Sequence, residues 1–171
     1  MTNPSPHFSD PMDTLSRLDA LVVGPLGGVI VTPDGEVEKY ELAELRKILH
    51  NHDFLICNRP IAERHLKTNM SGCFDILELF AFIRPAEFCL PLPLGLSVAL
   101  DLPGTGDNQE DEAAVLIKSA QILINELSSP DYKYTEGVQA TAYTMGAAGW
   151  RWGPLLLGAL KRVKKKQSYQ V

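Results

Sequence analysis

Phe54-Leu-Ile-Cys57 is a run of four apolar residues without polar alternation, and it constrains the fold more than any other stretch. A strand with one face in water alternates apolar and polar residues. An unbroken run instead reads as a strand buried on both faces, as in a parallel pairing covered by helices. Such a strand needs a helix before it and another after it. Glu41 to His50 places Leu42, Leu45, Ile48 and Leu49 at helical spacing, and Pro60 fits the first turn of a helix over Ile61 to Leu66.

Upstream, Ala20-Leu-Val-Val23 is a short apolar run closed by Gly24-Pro-Leu-Gly-Gly28. Val29-Ile-Val-Thr32 and Glu36-Val-Glu-Lys-Tyr40 flank Pro33-Asp-Gly35, which predicts a hairpin. Downstream, Phe74 to Ile83 is apolar nearly all round and reads as a buried helix. Pro85 to Pro93 is a proline-bounded loop, Leu94 to Leu100 a short helix, and Pro103-Gly-Thr-Gly106 another loop. Ala113, Leu116, Ile117, Ala120, Leu123, Ile124 and Leu127 form one stripe over a helix from Glu110 to Leu127. Helices over 135–147 and from Pro154 into the tail complete the pattern.

Three antiparallel strands, a helix and then a buried parallel strand predict an α/β protein with a mixed sheet flanked by helices. That order is the opening of a ribonuclease-H-like sheet, here with a helical C-terminal extension. A doubly wound sheet would need repeated strand–helix alternation, and only one such crossover is visible. Residues 1–16, rich in Pro, Ser, Asn and Asp, read as a flexible lead-in to a domain over 17–130. Residues 131–171 read as a helical extension with a basic tail, packed on the same domain.

A chain of 171 residues fits one domain with a single sizeable core. The opening MTNPSPHFSDPMD lacks a basic segment followed by an apolar one. No apolar run approaches the roughly 20 residues that span a bilayer, so the expectation is a cytoplasmic protein with no membrane partner. Cys57, Cys73 and Cys89 lie in apolar segments without C-x-x-C spacing, which suits buried free thiols. The net charge of −5 is uneven. Lys161, Arg162, Lys164, Lys165 and Lys166 fall in the last eleven positions, leaving 11 basic and 21 acidic residues over 1–160, a net of −10. An acidic body does not attract a phosphate backbone, so the tail is where electrostatics favours nucleic acid.

Most local motifs read blandly. Gly24-Pro-Leu-Gly-Gly28 lacks a lysine and precedes a strand, so it is a tight connection and not a phosphate loop. His50 and His52, followed by Asp53, stand at i and i+2 and share no helix face, so zinc is not expected there. No Gly-x-Ser-x-Gly elbow supports a serine hydrolase. Trp150-Arg151-Trp152 has two readings: planes that stack on unpaired bases, or indoles that anchor the last helix to the core. The run Lys161 to Lys166 also has two, as phosphate contacts or as charges complementing the end of a helix.

Four segments, in order, carry a resemblance. Ile56-Cys-Asn58-Arg-Pro-Ile-Ala62 resembles the second motif of proofreading-type (DEDD) 3′–5′ exonucleases, His-Asn-x-x-Phe-Asp. Phe74-Asp75-Ile-Leu-Glu78-Leu and the Pro85 that follows resemble that family's next segment, as does Leu94 to Leu102 its following one. Asp107 to Leu116 lies where the family has His-x-Ala-x-x-Asp-Ala before its final helix. The resemblance covers residues 20–127, so 17–130 is the exonuclease-like domain. It implies a ribonuclease-H-like fold.

It also implies a site without its machinery. These exonucleases hold two divalent ions with carboxylates, one ion activating water and the other stabilising the leaving oxygen. Here Val22 to Gly28 contains no carboxylate, the second motif's Asp is Ala62, and its His is Cys57. Asn58 is kept, Asp107 stands for the final His, and Glu112 is the nearest match to the final Asp. Asp75 has a family counterpart that binds no metal, and it reads as a helix cap. The vestigial positions are therefore Asn58, Ala62, Asp75, Asp107 and Glu112, with no metal expected.

Asp75 to Cys89 also resembles the decayed exonuclease-type domain at the N-terminus of DinG-like ATP-dependent DNA helicases. This implies a non-catalytic accessory or scaffold domain in DNA metabolism or repair, with the helicase core in the same parent chain. ATP and Mg would belong to that core, since no Gly-x-x-x-x-Gly-Lys-Ser/Thr loop is present here. Single-stranded DNA is the candidate ligand, through Trp150, Arg151, Trp152, Lys161, Arg162, Lys164, Lys165 and Lys166. One alternative is a divergent metal-dependent nuclease built on Asp75, Glu78, Asp107 and Glu112. Another is a small α+β protein-interaction module.

Overall fold

The computed structural model describes residues 10–103 and 108–168, with side chains as far as Arg162. Its centre is a five-stranded sheet. Strands β1 (Asp19–Val23), β2 (Gly27–Val31) and β3 (Val37–Glu41) pair antiparallel in sequence. Helix α2 (Leu42–Ile48) then leads to β4 (Phe54–Ile56), which pairs parallel with β1. Helix α3 (Arg59–Leu66) leads to β5 (Phe74–Asp75), parallel to β4, and the order across the sheet is β3-β2-β1-β4-β5. The expected mixed α/β sheet is present.

The two hairpins follow from their turns. Gly24 N–H donates to the Gly27 carbonyl at 2.8 Å, closing the β1–β2 connection expected at Gly24–Gly28. In the second, Gly35 has φ +90°, a conformation that costs other residues energy, and donates to the Thr32 carbonyl at 2.9 Å. Helix α2 begins with a capping box, in which the side chains of Glu41 and Glu44 each accept from the other's backbone N–H.

The inner strands β1, β2 and β4 send alternate residues to opposite sides, and both sides are dry, whereas β3 is exposed at the edge. Leu21, Ile30, Phe54 and Ile56 join Leu45, Ala62, Leu66 and Met70 under α2 and α3. Ala20, Val29, Val31 and Leu55 face the larger core, made with α4 (Ile76–Ile83), α5 (Pro93–Ala99), α6 (Gln109–Leu127) and α8 (Trp152–Ser168). Burial on both faces of β4 is what the Phe54–Cys57 run requires. The stripe on α6 is buried as expected at Ala113, Leu116, Ala120, Leu123, Ile124 and Leu127, with Ile117 half-buried.

Two elements differ from expectation. Residues 11–15 are not part of a flexible lead-in: Pro11–Leu15 form helix α1, with the Asp10 side chain accepting from Met12 N–H at 2.9 Å. Pro11 sits in the first turn, where its missing N–H costs nothing. Leu15 and Leu18 are buried in the larger core, which holds this segment down. Residues 1–9 of that lead-in lie outside the described residues. The second difference is β5, whose two residues looked like the start of a helix. Pairing with β4 makes them a strand, and the helix begins two residues later than expected, at Ile76.

Helix α7 (Val138–Ala147) and α8 form the C-terminal extension, and α8 belongs to the same core through Trp152, Leu155, Leu156 and Ala159. The two helices meet at Gly146 and Gly153, where a Cβ on Gly153 would stand 2.4 Å from the Gly146 Cα. Arg84, ending α4, ties three elements. Its Nε and Nη2 donate to Glu126 of α6 at 2.9 and 2.8 Å, and Nη1 donates to the Ala99 carbonyl of α5 at 3.1 Å. Among the described residues no helix is long and apolar enough to cross a membrane.

Candidate functional site

Parallel strands β1 and β4 end side by side, and the first turn of α6 lies over that end. In an open α/β sheet this is where ligands bind, because loops diverge there. The β1 end supplies Gly24. A Cβ at Gly24 would lie 3.0 Å from Gln109 Nε2, so the glutamine amide of α6 covers the place a longer side chain would take. The β4 end supplies Cys57. Burial pushes its thiol well above the usual range, and the nearby Asp75, Cys89 and Glu112 push the same way. A thiol held in its neutral form is a poor nucleophile and a poor metal ligand. Burial also raises the Glu112 carboxyl above its usual value.

Asp75 is buried, and its carboxylate is fully engaged. Oδ1 accepts from the backbone N–H groups of Asn58 at 3.2 Å and Leu77 at 3.0 Å, and Oδ2 accepts from Arg59 N–H at 2.7 Å. The Leu77 bond is the expected cap of α4. The other two hold the start of α3, whose own N-cap residue, Asn58, makes no side-chain cap. Asn58 sits in the left-handed region at φ +62° and turns its side chain away, donating from Nδ2 to the Pro91 carbonyl at 3.1 Å. The proline-bounded loop is thereby fastened over the end of β4. A helix start without its own cap needs an outside acceptor. The sequence carries no signal for this second grip of Asp75, since Asn58 reads as a cap in its own right.

Ala62 does not face this place. It is buried in the cluster under α2 and α3, where a carboxylate would lose its water without a partner. Asp107 lies outside the described residues. Glu78 is also engaged, accepting from Trp150 Nε1 at 2.9 Å and facing Arg59 at 3.7 Å. Asp75 and Glu78 are thus held by protein donors, and Glu112 stands near the Cys57 thiol. Among the described residues no three His, Cys, Asp or Glu side chains converge on one point. Divalent ions need several oxygen ligands at one point, and this set does not fit a pair of them.

The Trp150-Arg151-Trp152 strap crosses β5 and α4. Trp152 is fully buried; its Nε1 donates to the Asp75 carbonyl at 2.9 Å and its ring meets Phe74 edge-on at 5.0 Å. No face of that indole is open to a base, so Trp152 is a core anchor. Trp150 packs on Phe82 at 5.0 Å, and Arg151 pairs with Asp53 and lies 5.1 Å over the Phe74 ring. Lys161 and Arg162 are exposed on α8, with Arg162 paired to Asp10. Positions 164–166 continue that helix by backbone, and their side chains lie outside the described residues.

At the opposite end of the parallel strands, a cleft of about 450 Å³ is lined by His50, His52, Asp53, Asn69 and Ser71, among others. Asp53 there is held by Arg151. Compared with protein-family models, with curated proteins and with solved structures, the chain finds no match.

Proposed function

We propose that this chain is a non-catalytic, exonuclease-like domain of ribonuclease-H-like fold, serving as an accessory or scaffold attached to an ATP-dependent DNA helicase core. The sheet order β3-β2-β1-β4-β5, with β1 to β3 antiparallel and β4 and β5 parallel to β1, supports the fold half of this reading. One observation carries the functional half. Where two-metal chemistry would need carboxylates, the end of β1 offers Gly24, the second motif's Asp position is the buried Ala62, and Asp75 accepts from three backbone amides. The helicase half rests on the likeness of Asp75 to Cys89 to the decayed domain of DinG-like helicases.

The test is incubation of the chain with single-stranded DNA and Mg²⁺ or Mn²⁺. The expected result is no shortening of the strand. Metal-dependent cleavage that Glu112→Gln abolishes would overturn the non-catalytic reading and favour the nuclease alternative. The helicase half is tested by sequencing the coding region beyond codon 171. A Gly-x-x-x-x-Gly-Lys-Ser/Thr loop in the same frame is expected, and a frame without helicase motifs refutes that half.

A further inference from the structure

Phe88 to Val98 contains no charged residue, yet much of it stands in water. Phe88 is 82% exposed, Val98 75%, and Leu90, Leu92 and Leu94 each 40–50%. Apolar side chains scattered singly over a surface need no explanation, but these are contiguous. Leu94 and Val98 stand one turn apart on one face of α5, while Leu96 between them is buried. The loop before α5 crosses that helix at contact, since a Cβ on Gly95 would lie 2.2 Å from the Leu90 carbonyl oxygen. Leu90 and Leu92 therefore continue the strip that Leu94 and Val98 begin, and Phe88 ends it.

The strip is held in place by the chain itself. Asn58 fastens the Pro91 carbonyl, Leu92 N–H donates to the Leu90 carbonyl at 2.8 Å, and Arg84 Nη1 donates to Glu87 at 3.0 Å. A preformed surface loses little freedom on docking. From the exposures above, the five side chains and exposed Pro91 present roughly 600 Å² of surface, the upper end for a patch on a monomer. Two such strips face to face would bury roughly 1,200 Å², the size at which specific interfaces begin. Self-pairing also brings no charge into the centre of the contact. The nearest carboxylates along the chain are Glu87, already paired with Arg84, and Asp101 beyond the end of α5. Interfaces between identical copies are the more apolar class, whereas those between different partners resemble the ordinary surface.

We propose that this strip is the contact of a twofold dimer, in which Phe88 of each copy packs against Leu94 and Val98 of the other. A twofold contact closes on itself, so association stops at two. Residues 1–160 carry a net charge of −10, so two copies attract each other through the apolar strip and not through charge. The dimer goes beyond the accessory reading and does not depend on it. Cleavage of DNA would sink that reading and leave the dimer standing.

The experiment is sedimentation equilibrium of the whole chain from about 1 µM to about 500 µM. The mean mass is expected to rise from that of one chain to that of two, with a Kd on the order of 10 µM, the weak end for such an area. Added salt should leave the association unchanged or tighten it, because apolar contacts are not screened. Phe88→Asp and Val98→Asp each put like charges across the contact and should weaken it at least about tenfold. Both side chains are mostly exposed, so each variant should melt like the parent chain at the low end of the range, where single chains are compared. Tyr143→Ser, at an exposed position on α7, should dimerise as the parent does. A chain that stays single throughout the range overturns the proposal and leaves the strip to a different partner. Assembly beyond two overturns it as well, as does a dimer that persists in both aspartate variants.

Discussion

Replacing Asp75 with alanine removes one carboxylate and leaves three backbone donors, those of Asn58, Arg59 and Leu77, without their acceptor. Hydrogen bonds to a charged group contribute about 1.5–3 kcal/mol each. The three do not add in full, because all three donors belong to half-buried residues that water can reach in part. A loss of about 4 kcal/mol is expected, within a total stability of about 5–15 kcal/mol. For a chain of this size that lowers the melting temperature by about 10 °C. The assay is urea unfolding followed by tryptophan fluorescence, with the dependence on urea unchanged if only stability has moved. Asp75→Asn keeps the shape and one acceptor oxygen, so it should cost about half as much. A cost for Asp75→Ala below about 1 kcal/mol would refute the three-amide clamp as an energetic feature. An asparagine as harmful as the alanine would show that shape and one oxygen preserve nothing.

Gly153→Ala should destabilise by about 1–3 kcal/mol, because its Cβ would press on the Gly146 and Ala142 backbones at 2.4–2.9 Å; a neutral result in thermal melting would contradict the close crossing of α7 and α8. Ser119 has a buried hydroxyl with no hydrogen-bond partner among the described residues, so Ser119→Ala should stabilise by about 1 kcal/mol, and a loss of stability would reveal a partner. Tyr132 donates its hydroxyl to the Ile83 carbonyl at 2.8 Å, and burial, with Glu126 and Tyr134 nearby, pushes its pKa from 10.0 to about 12. The folded state then holds a proton that the unfolded chain has released, so stability is complete below about pH 10 and falls as pH rises through 12. Urea midpoints across that range should show a shallower fall in Tyr132→Phe.

What could be read from the sequence was what is local. The Phe54–Cys57 run, the Pro33-Asp-Gly35 turn and the α6 stripe are patterns within a few residues, and each appears as expected. Strand β5 could not be read that way, because two residues become a strand only by pairing with Leu55 and Ile56. Asp10-Pro11 was a legible cap and first turn, masked by the polar composition around it. At the candidate site, the Asp75 cap on α4 was legible and its hold on α3 was not, since those donors lie 16 and 17 positions away. The neighbours that add to burial in pushing up the Cys57 thiol, Asp75, Cys89 and Glu112, come from three different elements or loops, and no spacing rule joins them. Trp150-Arg151-Trp152 left two readings open. For Trp152 the choice depended on Phe74 and Asp75, far earlier in the chain.

The Trp152 bond has a consequence for how the protein is made. It joins residues 77 positions apart, the largest fully buried side chain to the edge strand of the sheet. A ribosome delivers the amino end first, so all five strands leave the exit tunnel well before the indole that covers the last of them. Until then the ring of Phe74 lacks the indole that packs on it, although α6 can already cover α4. Completion of the fold is therefore a late event, set by the arrival of α8 rather than by the pairing of strands. The boundary near residue 130 divides the sequence by pattern, but it does not divide the folding unit.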